Sequence, residues 1–265
     1  MPYYMNGKEE WPYESWDSFD DVKFYAELAA CEEIPTTAGL SPEKYRSYIE
    51  PEFAAGNDIL YVHFSAKMSS TFQALDLCLE MLKEKYPDRK FYRLDTKAMT
   101  IFTLPFLKEI GQKYKEGLSA EELIAYGESI RGNYACYFFA DNLRFFAKSG
   151  RVSGFTAFVG GLFGIKPIIG FDNDGVMKAF GRENGKLNAI KRIMRYVEEL
   201  GDEPEKGTFY IAHCGVPELA AKLRDRLMER YGPDIDYVML PPNPTIGCHC
   251  GPGCVGVCFH AKRRV

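Results

Sequence analysis

The chain has 265 residues, 46% of them hydrophobic and 26% charged, which permits a sizeable buried core in one large domain or two modest ones. Its formal net charge is only -4, with acidic and basic residues interleaved, so there is no electrostatic footprint for a nucleic-acid backbone and no nucleic acid is expected as a partner. The acidic N-terminal stretch has no signal-peptide core, no segment is apolar enough to span a bilayer, and eight cysteines without a secretory signal point to free thiols in the cytosol.

Taken in chain order, Asp58 to Phe64 reads as a strand, Ser65 to Thr71 as a hydroxyl-rich turn, and Phe72 to Tyr86 as an amphipathic helix. Phe91 to Thr96 follows as a strand, then helices over Phe102 to Tyr114 and Ser119 to Arg131. Ser119 with Glu122 three residues on forms a capping box for the second of these. Ala135 to Ala140 reads as a further buried strand. This alternation predicts an α/β fold whose parallel sheet is covered on both faces.

After Ser149 the composition shifts to glycine and small residues, which places a domain boundary there: an N-terminal α/β domain over 1–148 and a C-terminal α/β domain with a mixed sheet over 149–265. A hairpin turning at Asp172-Asn173-Asp174-Gly175 is expected, then a helix from Leu187 to Leu200, a strand at Gly207 to His213, a helix from Pro217 to Tyr231 and a strand at Asp236 to Leu240. A proline-rich turn leads into a glycine-rich loop around His249 and a last strand from Val257. The basic end, Lys262-Arg263-Arg264, reads as a solvated tail.

Three hydroxyl-rich turns stand at strand ends or loops: Thr36-Thr37, Ser65 with Ser69-Ser70-Thr71, and Ser153 with Thr156. Such turns hold anions outside the carboxyl ends of strands in open α/β sheets, or simply cap helices. His249, in a loop where glycines let backbone approach a ligand, is placed to donate to a carboxylate or phosphate, or to bond loop carbonyls. No Gly-x-Ser-x-Gly elbow supports a serine hydrolase, and no catalytic residues are expected. Cys248, Cys250, Cys254 and Cys258 lack the paired spacing of a zinc site, so no metal is expected. In a strand over Val255 to Lys262, Cys254, Gly256, Cys258 and His260 share one face and Val255, Val257 and Phe259 the other, so small thiols fill a tight sheet, with a cysteine-rich metal or redox protein as the competing reading.

Together, Ser65 to Ala74, Ser149 to Ile169 and Thr245 to Val257, with the segments Met5 to Trp11 and Phe24 to Thr37, resemble the DegV family of bacterial fatty-acid-binding proteins over nearly the whole chain. The resemblance implies a non-catalytic lipid carrier with no cofactor, which binds one long-chain fatty acid in a buried tunnel. It also implies that a fatty acid kinase catalytic subunit receives the bound carboxylate, with transient membrane contact. Carried over by position, the carboxylate-binding residues are Thr37, Ser69 and His249, with Ser65, Ser70, Thr71, Arg151, Ser153 and Gly251 as secondary candidates. Phe155, Phe158, Phe163 and Ile165 are tunnel candidates. The chain departs from the family pattern in opening at what resembles the second strand, in Ala38 and Ser70, and in Asn184 where an arginine is usual. The runner-up function is a binder of another amphiphile or small anion without a kinase partner.

Overall fold

The computed structural model describes residues 1–12, 18–153 and 164–265. Residues Phe155, Phe158 and Phe163 lie outside the described residues, as does Thr156. Among the described residues no helix is long and apolar enough to cross a membrane.

The chain opens with a small antiparallel sheet. β1 (Tyr3–Met5) and β2 (Lys8–Glu10) turn at Asn6-Gly7, and β1 also pairs with β3 (Thr36–Thr37) across the helix α1 (Asp21–Ala30). This pairing sets Thr37 opposite Tyr3. α2 (Pro42–Ala54) starts at the Ser41 cap and leads to the parallel pair β4 (Ile59–His63) and β5 (Phe91–Asp95), joined by α3 (Thr71–Lys85). Alternation along these strands feeds two cores, as a parallel sheet requires. Ile59, Tyr61 and Phe91 pack with α2 and α3, while Leu60, Val62 and Leu94 pack with α4 (Leu104–Lys115) and α5 (Ala120–Ile130). The Ser119–Glu122 capping box that opens α5 is formed in both directions.

A seven-stranded mixed sheet carries the rest, in the order β11-β10-β12-β6-β8-β9-β7. Its strands are β6 (Tyr134–Phe139), β7 (Val152–Ser153), β8 (Ile165–Phe171), β9 (Met177–Asn184), β10 (Thr208–His213), β11 (Asp236–Leu240) and β12 (Val255–His260). The division expected at 148/149 falls after β6, which is an inner strand of this sheet, so the sheet draws on chain from both sides of it. The hairpin between β8 and β9 turns at the expected place, with the Asp172 carboxylate accepting from the N–H groups of Asp174 and Val176 at 2.9 Å each. α7 (Lys186–Leu200) and α8 (Pro217–Tyr231) cover one face, burying Ile190, Ile193, Val197, Leu223 and Leu227 against Phe139, Phe209 and Val257. The other face meets α1, α6 (Leu143–Ser149) and α9 (Pro244–Cys250) in the largest core.

Two sequence expectations are corrected here. The segment read as a glycine-rich loop is helical from Pro244 to Cys250, because the Asn243 side chain caps it by accepting from Ile246 N–H at 3.1 Å and Pro244 fits the first turn. The basic end is not a solvated tail: Lys262 and Arg263 are exposed, but Arg264 is only 4% exposed. Its guanidinium donates to the backbone carbonyls of Thr96, Lys97, Arg131 and Tyr134 and so fastens the last residues across both sheets.

Candidate functional site

Between the α9 face of the seven-stranded sheet and the segment 99–102 runs an apolar slot with about 620 Å³ of unfilled space, mouth included. Aromatic rings from four elements line it (Phe102, Phe138, Phe146, Phe171), with the thioethers of Met99 and Met177. The sheet supplies small side chains as floor: Ala212, Cys214, Cys254 and Gly256. None of these residues was singled out as tunnel lining from sequence. The signal lay in the period-two alternation of β6, β10 and β12, whose slot-facing positions can be named only when the strand pairing is known.

His249 and Arg151 stand where this slot meets two more polar hollows, so the mouth is polar while the interior is not. Thr37 borders both hollows, and its Oγ1 lies 2.8 Å from His249 Nε2. Burial and the nearby Arg151 charge push the His249 pKa down to about 4, so the imidazole is neutral at physiological pH. Arg151 donates through Nε to Met68 O at 3.3 Å and through Nη1 to Ser149 O at 2.5 Å. Burial lowers its pKa but leaves it charged. No carboxylate pairs with it among the described residues.

The hydroxyls sort into two groups. Ser69 borders the inner hollow with Ser70, and its Oγ accepts from Thr71 N–H at 3.2 Å, which leaves its own hydrogen to donate. Ser70 opens α3 without a side-chain cap bond. Ser65 and Thr71 are turned to other work. Ser65 Oγ donates to Gly175 O at 2.7 Å and ties the β4 end to the β8–β9 turn, while Thr71 Oγ1 accepts from Leu40 N–H and bonds the Tyr45 hydroxyl, both at 3.0 Å.

Ser153 ends β7 opposite Lys178. Gly251 ends α9 with φ +68, where a Cβ would meet the Phe145 ring at 2.5 Å. Ile165 is half-buried at the start of β8, opposite Asn184, away from the slot lining. Among the described residues no group of three or more His, Cys, Asp or Glu side chains is arranged to hold a metal ion. Cys254 and Cys258 do share one sheet face and Val255, Val257 and Phe259 the other, as the alternation predicts.

Fold and site together define a two-unit α/β protein with a buried apolar slot that opens at a cationic, hydroxyl-bearing mouth. The chain belongs to the DegV family: the family model described as "Uncharacterised protein, DegV family" matches residues 7–262. A DegV domain-containing protein of Clostridium perfringens is 28% identical over 229 residues, 85% of this chain and 77% of the relative. A fatty-acid-binding DegV family protein from Thermus thermophilus superposes with a TM-score of 0.83 at 23% identity, over 98% of this chain and 90% of that one. The fatty acid kinase B3 protein of Streptococcus pneumoniae, solved with linoleic acid, gives 0.80 at 17% identity, over 98% and 89%. At these identities the two solved structures show a shared fold.

Proposed function

We propose that the chain holds one long-chain fatty acid with its acyl tail in the slot and its carboxylate at the mouth, as a carrier that does no chemistry of its own. The observation that carries this reading is the junction of the apolar slot with Arg151, a buried-edge cation without a carboxylate partner among the described residues. Thr37, Ser69 and His249 supply short polar contacts around the carboxylate. With its proton on Nε2, His249 donates to Thr37 Oγ1, and the Thr37 hydrogen turns to the ligand. Arg151 supplies the counter-charge, and the start of α3 beside Ser69 and Ser70 adds a partial positive charge. Each buried methylene contributes about 0.8 kcal/mol, so the tail provides most of the affinity and the mouth fixes orientation.

Presentation of the carboxylate to a partner kinase is the finer reading. Its support is the likeness to the Streptococcus pneumoniae fatty acid kinase B3 protein. A carrier without a kinase partner is the second reading, favoured by Asn184, which is exposed at the end of β9 where the family pattern has arginine. By sheet membership, β6 is counted with the C-terminal unit rather than with residues 1–148.

Mass spectrometry of an organic extract, beside native mass spectrometry of the intact protein, tests the carrier reading. One stoichiometric long-chain fatty acid is expected, and an empty protein that refuses added fatty acid refutes it. Acyl-phosphate formation with a fatty acid kinase catalytic subunit, compared between the parent and Asn184→Arg, separates the two finer readings.

A further inference from the structure

The floor of the slot is laddered sheet, whereas its roof, Met99 to Phe102, hangs from two ends. Upstream of the roof the chain is fixed: Arg264 donates to Thr96 O at 3.3 Å and to Lys97 O at 2.6 Å, and Ser65 N–H donates to Ala98 O at 2.8 Å. Downstream, the Cys258 thiol donates to Phe102 O at 3.7 Å, and α4 begins at Leu104. Between these anchors lie Met99, Thr100 and Ile101, whose N–H groups have no acceptor among the described residues. A single tight turn, Thr100–Thr103, shapes the roof, and its bonds are internal: Phe102 N–H donates to Met99 O at 3.2 Å, Thr103 Oγ1 to Thr100 O at 2.7 Å, and Leu104 N–H to Ile101 O.

The roof is also strained. Lys97 and Thr100 both stand at φ +53, in the left-handed region, where a β-branched residue such as threonine is an outlier. The clash of Cβ with the following carbonyl disfavours that conformation by roughly fivefold to thirtyfold, a penalty that glycine escapes. Residues in such conformations persist only where their surroundings hold them, and they collect at ligand clamps and switches. Thr100 lines the slot, and Met99 borders both the slot and the inner polar hollow. The side chains of Met99 and Ile101 are buried, and that burial outweighs the strain, so the shut roof is the resting state.

We propose that Met99 to Ile101 are a gate over the slot with Thr100 as its strained hinge, an inference that rests on the slot being the fatty-acid site. A tail that threads in from the mouth must pass the Arg151 charge and His249 one methylene at a time. When the gate lifts, Thr100 relaxes to an ordinary backbone conformation while the anchors at 96–98 and at Phe102 hold. The slot is then open from the side, and the tail enters broadside while its head reaches the inner hollow that Met99 also borders. Closure over the loaded tail restores the same left-handed turn. The strain is thus present in both the empty and the loaded shut forms, and it sets the rate of ligand exchange rather than the affinity.

Stopped-flow mixing of the full-length protein with cis-parinarate, a fluorescent long-chain acid, tests the gate. Thr100→Gly removes the strain from the shut form, so association and dissociation should both slow by roughly fivefold to thirtyfold, with the dissociation constant within about twofold of the parent's. Its melting temperature should rise by about 2–4 °C. Thr100→Asn, which tolerates the left-handed region better than threonine, should slow both rates by less. Unchanged association, or an affinity that falls as far as the association rate, makes Thr100 plain lining and overturns the proposal. Hydrogen exchange at the Phe102 and Leu104 amides of the parent keeps the test decisive if a variant fails to fold. Both bonds close on the roof, so these amides should exchange at least about tenfold faster than those of β5 and slow when acid is bound, and exchange as slow as that of β5 overturns the gate. Protein that refuses cis-parinarate refutes the carrier reading alone. The gate is then judged on the same amides of the empty protein, where Thr100→Gly must slow exchange, and an unchanged rate overturns it.

Discussion

Replacing Thr37 by valine keeps the branched shape that suits β3 and removes one hydroxyl from the mouth, so it separates head-group recognition from tail burial. In the structure Thr37 Oγ1 has one partner, His249 Nε2 at 2.8 Å. Losing a hydrogen bond to a charged ligand group costs about 1.5–3 kcal/mol, so dissociation constants should rise roughly tenfold to 150-fold. Tail burial should be untouched. At about 0.8 kcal/mol per methylene, affinity should gain about fourfold for each added carbon in both proteins. Titrating parent and Thr37→Val with saturated acids of roughly ten to eighteen carbons therefore gives two parallel lines of binding free energy against chain length. A changed slope would mean that Thr37 shapes the slot itself. A zero offset would mean that the carboxylate is held elsewhere, and either result refutes the reasoning.

Three further outcomes follow from the same geometry. His249 titrates near 4 in the folded protein against a usual 6.5, so between those pH values the unfolded chain holds a proton that the folded one refuses. Stability should fall as pH drops through that window, by up to about 3 kcal/mol from this group, and His249→Asn should remove that part of the slope in urea titrations at successive pH values. Ser65→Ala should lower stability by about 1–2 kcal/mol with unchanged fatty-acid affinity, whereas Ser69→Ala should weaken affinity with little loss of stability; paired calorimetry and melting curves would expose the reverse pattern. Arg264→Met removes the donor from four backbone carbonyls, of which Thr96 O is buried and the others part-buried, and should cost about 2–4 kcal/mol by chemical denaturation, while Arg263→Met should cost almost nothing.

What the sequence disclosed depended on the range of the interaction involved. The capping box of α5, the bounds of α8 and the Asp172 turn are set by residues within a few positions of one another, and each reads directly from the chain. α1 and α2 go unassigned by the same approach. α2 carries Pro51 in its interior, which argues against a helix locally, and forms because Tyr45, Ile49 and Phe53 pack on α3. At α9 the local signal was present, since Asn243-Pro244 is a capped helix start, but Pro241 to Pro244 also reads as a turn. The site divides in the same way. The turns bearing Thr37, Ser69 and His249 are visible as residue types, yet only long-range contacts decide that Ser65 and Thr71 are consumed by Gly175 O, Leu40 N–H and Tyr45.

The slot itself follows from one strand being built low. On the β12 face that looks toward α9, alternate positions are Cys254, Gly256 and Cys258, while the opposite face carries Val255, Val257 and Phe259. At Gly256 even a methyl group is refused, because a Cβ there would stand 2.3 Å from the Phe138 Cβ on the neighbouring strand. Large side chains along this face would fill the space under segment 99–102 and convert the slot to ordinary core, at the packing density that interiors normally reach. Small, polarizable thiols leave a narrow apolar gap walled by Phe102, Phe146 and Phe171, a lining that offers water no hydrogen bonds and suits an alkyl chain. The same choice of residue that opens the gap brings Cys214, Cys250 and Cys254 together at its wall. Cys→Ala changes at 254 and 258 should therefore preserve the slot and its fatty-acid affinity, since alanine is no larger than the thiol it replaces, and a titration that showed weaker binding would refute this account.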